Sequence, residues 1–369
     1  MNKTKLKYLL ATVLGWASVH ASAQILVGQT AGFTGPVAAS VKEITEGARL
    51  WIDSVNAKGG IGGQKIELIA MDDQFDPKLA AENARKLIEE KDVVALFLTR
   101  GTVTTEAVIP VLDKYSVPLV GPSTGAMSLH QPVKKHVFNV RATFQREAEK
   151  AITHLASIGV NRIAILHADD SFGLDALAGA QKGMAGAKLT PILVKAVDRT
   201  KPDYSQIAPA IAQAGAQAVV LLAAGDACVE GVKALRAAGS MAQVVTLSNN
   251  ASMGFVKSLG EHARSVIVTQ VFPNSLTYGL VKDAIDLARA KGVNDVSPAM
   301  LEGFASAKVL VEGLRRAGPK PTRERMQSAL ENLSHFDIGG LEINFSTKDH
   351  SGMDFADLSI ISAEGRFRR

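Results

Sequence analysis

The sequence predicts an α/β fold of two Rossmann-like lobes, each with a parallel central sheet covered by helices on both faces. Three observations predict it. Short β-branched runs alternate with segments whose apolar residues recur at helical spacing, the order that builds parallel sheets. The alternation runs its course by residue 141 and then restarts. The chain is also long, 369 residues, beyond the size at which one core stops growing and chains divide into domains.

Taken in order, "ILVGQ" is the first strand, followed by a helix whose apolar positions Val41, Ile44, Ala48, Trp51, Ile52 and Val55 follow the i, i+3, i+4, i+7 pattern. Gly59 and Gly60 end that helix as a left-handed cap does, and "KIELIAM" resumes as a strand before Pro77 opens a helix through Lys91. "VVALFL" is a third strand, a helix from near Thr102 to Tyr115 follows, and "VPLV" is a fourth strand. The pattern restarts near "HVFNV" and runs through a helix from Phe144, "RIAILH", a helix after Phe172, "TPILVKAV", a helix from Asp203, "AQAVVLLAA", a helix from Asp226 and "QVVTL". After "SVIVTQVFP" come helical segments at 276–291, 298–317 and 322–332, and "LEINF" and "FADLSIIS" read as terminal strands. No short repeat, heptad seam or low-complexity linker is visible.

The ends and the composition bound the function. Lys3, Lys5 and Lys7 precede an apolar run from Leu9 to Val19 that closes on Ala21, Ser22 and Ala23, the pattern of a secretory signal peptide cleaved after Ala23. The run is about half the length needed to span a bilayer. No cysteine stands at the cleavage site for lipid attachment, so a soluble periplasmic protein of 346 residues is expected. Losing the three lysines lowers the formal charge from +5 to +2. Cys228 is the single cysteine, so no internal disulfide is available and stability must come from burial. Aromatic content is 5%, and no Lys/Arg cluster with interleaved aromatics occurs. Nucleic acid is therefore not expected as a partner.

Motifs narrow the field further. "GQTAGFTGP" after the first strand lacks G-x-G-x-x-G and the Gly-Lys-Ser/Thr end of a P-loop, which argues against a nucleotide cofactor. The histidines show no paired metal-ligand spacing, and neither "DDQFDP" nor "HADDS" matches a calcium loop. Gly121-Pro122-Ser123-Thr124-Gly125 does match the G-x-S-x-G elbow of serine hydrolases, and Asp337 with His350 satisfies the order of a triad. Against a secreted esterase, no HGGG-type oxyanion segment lies upstream, and a second complete lobe stands where a hydrolase continues one sheet. In an open α/β sheet ligands bind beyond the carboxyl ends of the strands. Two such loops are small and polar: Thr99, Arg100, Gly101 and Thr102 after "VVALFL", and the Gly121–Gly125 turn after "VPLV". Each offers hydroxyls and free N–H groups suited to a carboxylate, although turn and helix-cap chemistry is the better account of either loop taken alone.

Together, "GPVAASVKEITEGARLWIDSVNAKGGIGGQKIELIAMDDQFDPKLAAENARKLI", "GTVTTEAVIPVLDKYSVPLVGPSTGA", "VFNVRATFQREAE", "RIAILHADDSFG", "LEGFASAKVLVEGLRRAG" and "GGLEINFSTKDHSG" resemble the type I periplasmic binding proteins of ABC transporters, in the branched-chain amino acid (Leu/Ile/Val) group. The resemblance covers nearly the whole mature chain. It implies three crossovers between the lobes, with 24–141 and 273–336 forming the first lobe and 142–272 and 337–369 the second. It implies a ligand held in the cleft by hinge closure, no catalysis, no cofactor and no metal. The expected partners are a small-molecule ligand and the permease subunits of an importer in the inner membrane, with the binding protein itself a monomer; a sensor reporting to a receptor would have much the same sequence. Gly101, Thr102, Ser123, Thr124 and Gly125 inherit the role of ligand-holding loops, Phe172 that of an aromatic wall. The chain departs from the family at "LAAGD", where Ala223, Ala224 and Gly225 replace an aromatic-bearing stretch. It departs again at Ser248, Asn249 and Asn250, where relatives place the glutamate that pairs with the ligand's ammonium. Enclosing an ammonium without a carboxylate costs roughly 3 to 5 kcal/mol, so an ordinary α-amino acid is not expected. Arg100 favours an anion held bidentately, and Asn249 is expected at the ligand. Arg141 is expected in a hinge ion pair.

Overall fold

Residues 24–368 are described by a computed structural model. The expected signal peptide, residues 1–23, lies outside them. Strands β1 (Ile25–Ala31), β2 (Ile66–Asp72), β3 (Ala95–Phe97), β4 (Leu119–Val120) and β5 (Val137–Phe138) form a parallel sheet in the order β2-β1-β3-β4-β5. Helices α1 (Ala38–Ala57), α2 (Pro77–Glu89) and α3 (Thr102–Tyr115) connect its strands. Asp76 caps α2 ahead of Pro77, accepting from the N–H groups of Lys78 and Leu79.

The second sheet has the order β14-β13-β10-β9-β8-β6-β7. Its strands β6 (Ile163–Ala168), β7 (Leu193–Val197), β8 (Ala218–Leu222), β9 (Gln243–Thr246) and β10 (Ile267–Gln270) run parallel, while β13 (Asp357–Ile361) and β14 (Phe367–Arg368) close one side antiparallel. Helices α4 (Phe144–Ser157), α5 (Ser171–Gly186), α6 (Ile207–Gln213), α7 (Asp226–Ala237) and α8 (Met253–Leu259) belong to this lobe. Its central strands β6 and β8 are buried along their whole length, which is why "RIAILH" and "AVVLL" read as continuous apolar runs instead of alternating ones.

Helices α9 (Gly279–Ala290), α10 (Pro298–Ala317) and α11 (Arg323–Glu331) return to the first lobe. The close partner of α10 is α1: a Cβ placed on Gly303 would lie 1.8 Å from the Ile44 carbonyl, so the two backbones touch only because that position has no side chain. One expectation needs correction. The hairpin β11 (Phe336–Asp337) and β12 (Glu342–Ile343) packs Ile338, Ile343 and Phe345 into the first-lobe core. The return to the second lobe therefore falls after Gly352 and before β13, later than the 336/337 boundary read from the sequence, and "LEINF" contributes to a two-stranded hairpin. The first and third crossovers run side by side, bridged where Asn139 N–H donates to the His350 carbonyl at 2.8 Å and Gly352 N–H to the Asn139 carbonyl at 2.7 Å. Among the described residues, no helix is long and apolar enough to cross a membrane.

Candidate ligand cleft

The two polar loops of the first lobe are stitched together before any ligand arrives. Ser123 N–H donates to the Thr99 carbonyl at 2.7 Å and Gly101 N–H to the Ser123 carbonyl at 3.3 Å, a one-residue extension of the sheet beyond β3 and β4. Gly101 is the N-cap of α3 at φ +90°, a conformation glycine adopts without strain. It brings no capping side chain, so the first turn of α3 presents its N–H groups outward. Gly101, Thr102 and Val103 all line a narrow cavity between the lobes.

Arg100 dominates the electrostatics of that cavity. Its side chain is buried, with Nη1 donating to Ser123 Oγ at 3.0 Å and Nη2 to the backbone carbonyl of Asn249, across the cleft, at 2.6 Å. Nε has no partner, and no carboxylate among the described residues lies within ion-pair distance of the guanidinium. Burial holds its pKa down at about 10, against the opposing pull of Glu302, so it remains a cation at neutral pH. Part of the surrounding wall is apolar: Phe172 meets Phe144 edge-on at 4.8 Å, with Ala223, Ala224 and Val197 also lining the cavity.

The expected site residues divide. Arg100, Gly101, Thr102, Ser123, Phe172 and Asn249 line the cavity. Thr124 and Gly125 do not. The Thr124 hydroxyl pairs with that of Thr102 at 2.9 Å, behind the wall, and a Cβ on Gly125 would stand 2.6 Å from the Ala142 carbonyl, so this glycine lets the crossover pack instead of admitting a ligand. Ser123 Oγ faces a guanidinium, and none of the hydrogen bonds among the described residues links it to a histidine. His350 is stacked on Phe138 at 4.1 Å with Nδ1 on the Lys134 and Val137 carbonyls, and Asp337 caps the Gly339–Gly340 turn. The elbow motif therefore has no triad.

Arg141 forms the expected hinge ion pair. Its guanidinium meets Glu147, donates to Ser248 Oγ at 2.8 Å and sits 3.6 Å from Glu302, and the other Glu147 oxygen accepts from Ser248 N–H at 2.9 Å. Among the residues of the cavity wall that were not anticipated are Phe75, Asp170 and Arg199. All three follow strand ends, after β2, β6 and β7, so the rule that identified the Arg100 and Ser123 loops also reaches them. Asp170 is committed within its own lobe, Oδ1 accepting from Gly173 N–H at 2.9 Å and Oδ2 lying 3.5 Å from Arg199 Nε; burial raises its pKa above the ordinary value. Asp198, also at the wall, accepts from Thr200 and Lys201.

Contacts between the lobes extend past the cavity. The Glu43 carboxylate of α1 accepts from Met253 N–H at 3.0 Å and Gly254 N–H at 2.8 Å, at the start of α8. A Cβ on Gly254 would lie 2.4 Å from Ala39 Cβ, and one on Gly225 would lie 2.0 Å from the Pro36 carbonyl.

Known proteins match this architecture along nearly its whole length. The "Periplasmic binding protein" family matches residues 24–359. The Leu/Ile/Val-binding protein BraC3 of Rhizobium johnstonii is 27% identical over 337 residues, covering 89% of each chain. A substrate-binding periplasmic protein from Ralstonia solanacearum superimposes with a TM-score of 0.85 at 31% identity, over 94% of this chain and 99% of that one. An ABC transporter solute-binding protein from R. palustris, solved in complex with benzoate, shares the fold with a TM-score of 0.83 at 16% identity, over 94% and 95% of the two chains.

Proposed function

The chain belongs to the periplasmic binding protein family, and from that membership we propose that it carries a small carboxylate without a free ammonium group to the permease of an ABC importer. That it is a solute-binding protein, and not an enzyme, follows from the family. The nature of the solute is our reading of the site. One observation carries it: a buried guanidinium, Arg100, with an unpartnered Nε and no carboxylate within ion-pair distance among the described residues, faces a largely apolar cavity. A buried cation of this kind is stabilised by an anion with matching geometry, and a carboxylate beside Arg100 also meets the N–H groups of the first turn of α3. The apolar walls suit an aliphatic or aromatic body, and the unpartnered Asn249 Oδ1 offers one neutral acceptor for a ligand hydroxyl.

An amino acid fits less well. Its ammonium needs a carboxylate, and at the family's usual position stand Ser248, Asn249 and Asn250. Asp170 and Asp198 lie in the wall but are already hydrogen-bonded within their own loops. Arg100, Gly101, Thr102, Ser123, Phe172 and Asn249 are accordingly proposed as the ligand contacts. Closure works as a population shift: the ligand stabilises the closed arrangement by contacts that the open one lacks, and the permease recognises the closed outline. Export through cleavage after Ala23, and action as a monomer, belong to the same proposal.

Titration calorimetry on protein unfolded, stripped of ligand and refolded tests the reading against leucine, valine, aliphatic acids and benzoate. The acids are expected to bind, and Arg100→Lys is expected to weaken them at least a hundredfold, since a lysine cannot reproduce the paired donors. Tight binding of leucine or valine with no response to any acid refutes it.

A further inference from the structure

One wall of the cavity is built differently from the rest. Phe75, from the first lobe, and Arg199, from the second, close it by leaning on each other: the Arg199 guanidinium lies over the Phe75 ring at 4.9 Å, and Nη1 reaches the Phe75 carbonyl at 3.5 Å. Phe75 is held in place from below. Its N–H donates to Asp73 Oδ1 at 2.9 Å, its backbone is left-handed at φ +63°, and its ring edge occupies the space a side chain at Gly101 would need, 2.4 Å from that missing Cβ.

Arg199 is held loosely. The polar contacts of its side chain are long, 3.5 Å to Asp170 and 3.5 Å to the Phe75 carbonyl, and the side chain keeps 23% of its exposure, so the stacking on the ring at 4.9 Å, an ordinary cation–π distance, is its main anchor. Behind the pair lies a second space of about 890 Å³, open to solvent and lined in part by the same Phe75, Arg199 and Ala227. Phe75 and Arg199, one from each lobe, thus stand with Ala227 between the cavity that holds Arg100 and a roomy outer vestibule.

We infer that the Phe75–Arg199 pair is a partition that sets the length of the acid held on Arg100, and that removing it joins the vestibule to the site. The inference rests on the proposed carboxylate reading. An acid bound through Arg100 extends its tail toward this wall, so a short tail stops at the Phe75 ring, and a longer one must displace either the ring or the loosely held guanidinium. Displacing the guanidinium also removes its stacking on the ring, so each added methylene past the limit costs affinity instead of gaining it.

The test uses two homologous series on the full-length mature protein: benzoate, phenylacetate and hydrocinnamate, and butyrate, hexanoate and octanoate. Affinities are measured by calorimetry for the wild type, Phe75→Ala and Arg199→Ala. The wild type is expected to prefer a short member of at least one series, and both variants are expected to shift the long-to-short affinity ratio toward the long member by about tenfold or more. Reading a ratio within each variant separates this outcome from a general loss of binding, and two variants from different lobes guard against either one failing to fold. If the wild type binds a short acid and neither folded variant changes the ratio, the partition is refuted while the carboxylate reading stands. If the wild type binds none of the six acids, the carboxylate reading fails and the partition falls with it.

Discussion

Replacing Glu43 by alanine should weaken ligand binding although Glu43 lies outside the cavity. In the structure its two oxygens accept from the N–H groups of Met253 and Gly254 at 3.0 and 2.8 Å, joining α1 of one lobe to α8 of the other. Both partners can be hydrated when the lobes part, so the contact contributes only to closure. Hydrogen bonds to a charged group contribute about 1.5 to 3 kcal/mol each, net of the exchange with water. For a half-buried carboxylate we take about 2 kcal/mol for the pair, a factor of about thirty in the open–closed equilibrium. Apparent Kd is the intrinsic value divided by the closed fraction, so if the free protein is mostly open, the whole factor appears as weaker binding. The second lobe should be spared, because Ser252 still caps α8 by accepting from Phe255 N–H at 3.1 Å. Calorimetry with whichever acid binds the wild type measures the loss, and small-angle scattering measures the radius of gyration with and without it. An unchanged Kd together with unchanged scattering in Glu43→Ala would show that the bridge plays no part in closing.

Two further outcomes are expected. Gly254→Ala puts a methyl group where Ala39 Cβ would be 2.4 Å away; the lobes must part by more than an ångström, so affinity should drop while the melting temperature of the ligand-free protein changes little. Asp73 is raised by burial from its ordinary 3.8 to about 6, despite accepting from Phe75 N–H and the Thr30 hydroxyl. The folded protein therefore binds this proton more tightly than the unfolded chain, and stability from this group falls as pH rises from about 4 to 6, by about 3 kcal/mol in full. Asp73→Asn keeps an acceptor for Phe75 and should flatten the melting temperature across that window relative to wild type; equal pH profiles for the two proteins would contradict the assignment.

Local chemistry explains which parts of the fold were legible in the sequence. The span of α10 could be read to the residue because Ser297 accepts from Met300 N–H, Pro298 follows, and Gly318 leaves the helix at φ +90°. Asp203 looked equally like a helix start, yet it caps Ser205 in a turn and α6 begins only at Ile207: the same side chain serves both purposes. The hairpin β11–β12 was misplaced because two-residue strands carry no periodicity, and its destination depends on Ile343 and Phe345 finding a core formed mostly by residues far away in sequence. At the site, the strand-end rule reached Arg100 and Ser123, while Thr102 and Thr124 could not be told apart until their hydroxyls were seen to pair. Phe75 and Arg199 stand 124 positions apart in sequence, and only the apposition of two lobes makes them neighbours.

Where α8 and the loop before α7 approach the other half of the molecule, they do so with bare main chain, at Gly254 and Gly225. Along this part of the seam the second lobe's outline is set by main-chain atoms, met by Ala39 and the Glu43 carboxylate of the first lobe, while the cavity deeper inside is lined by side chains. On the function proposed above, a transporter gauging that outline would register the same signal for any ligand that allows the halves to meet, so preference for cargo could be retuned from within without renegotiating delivery.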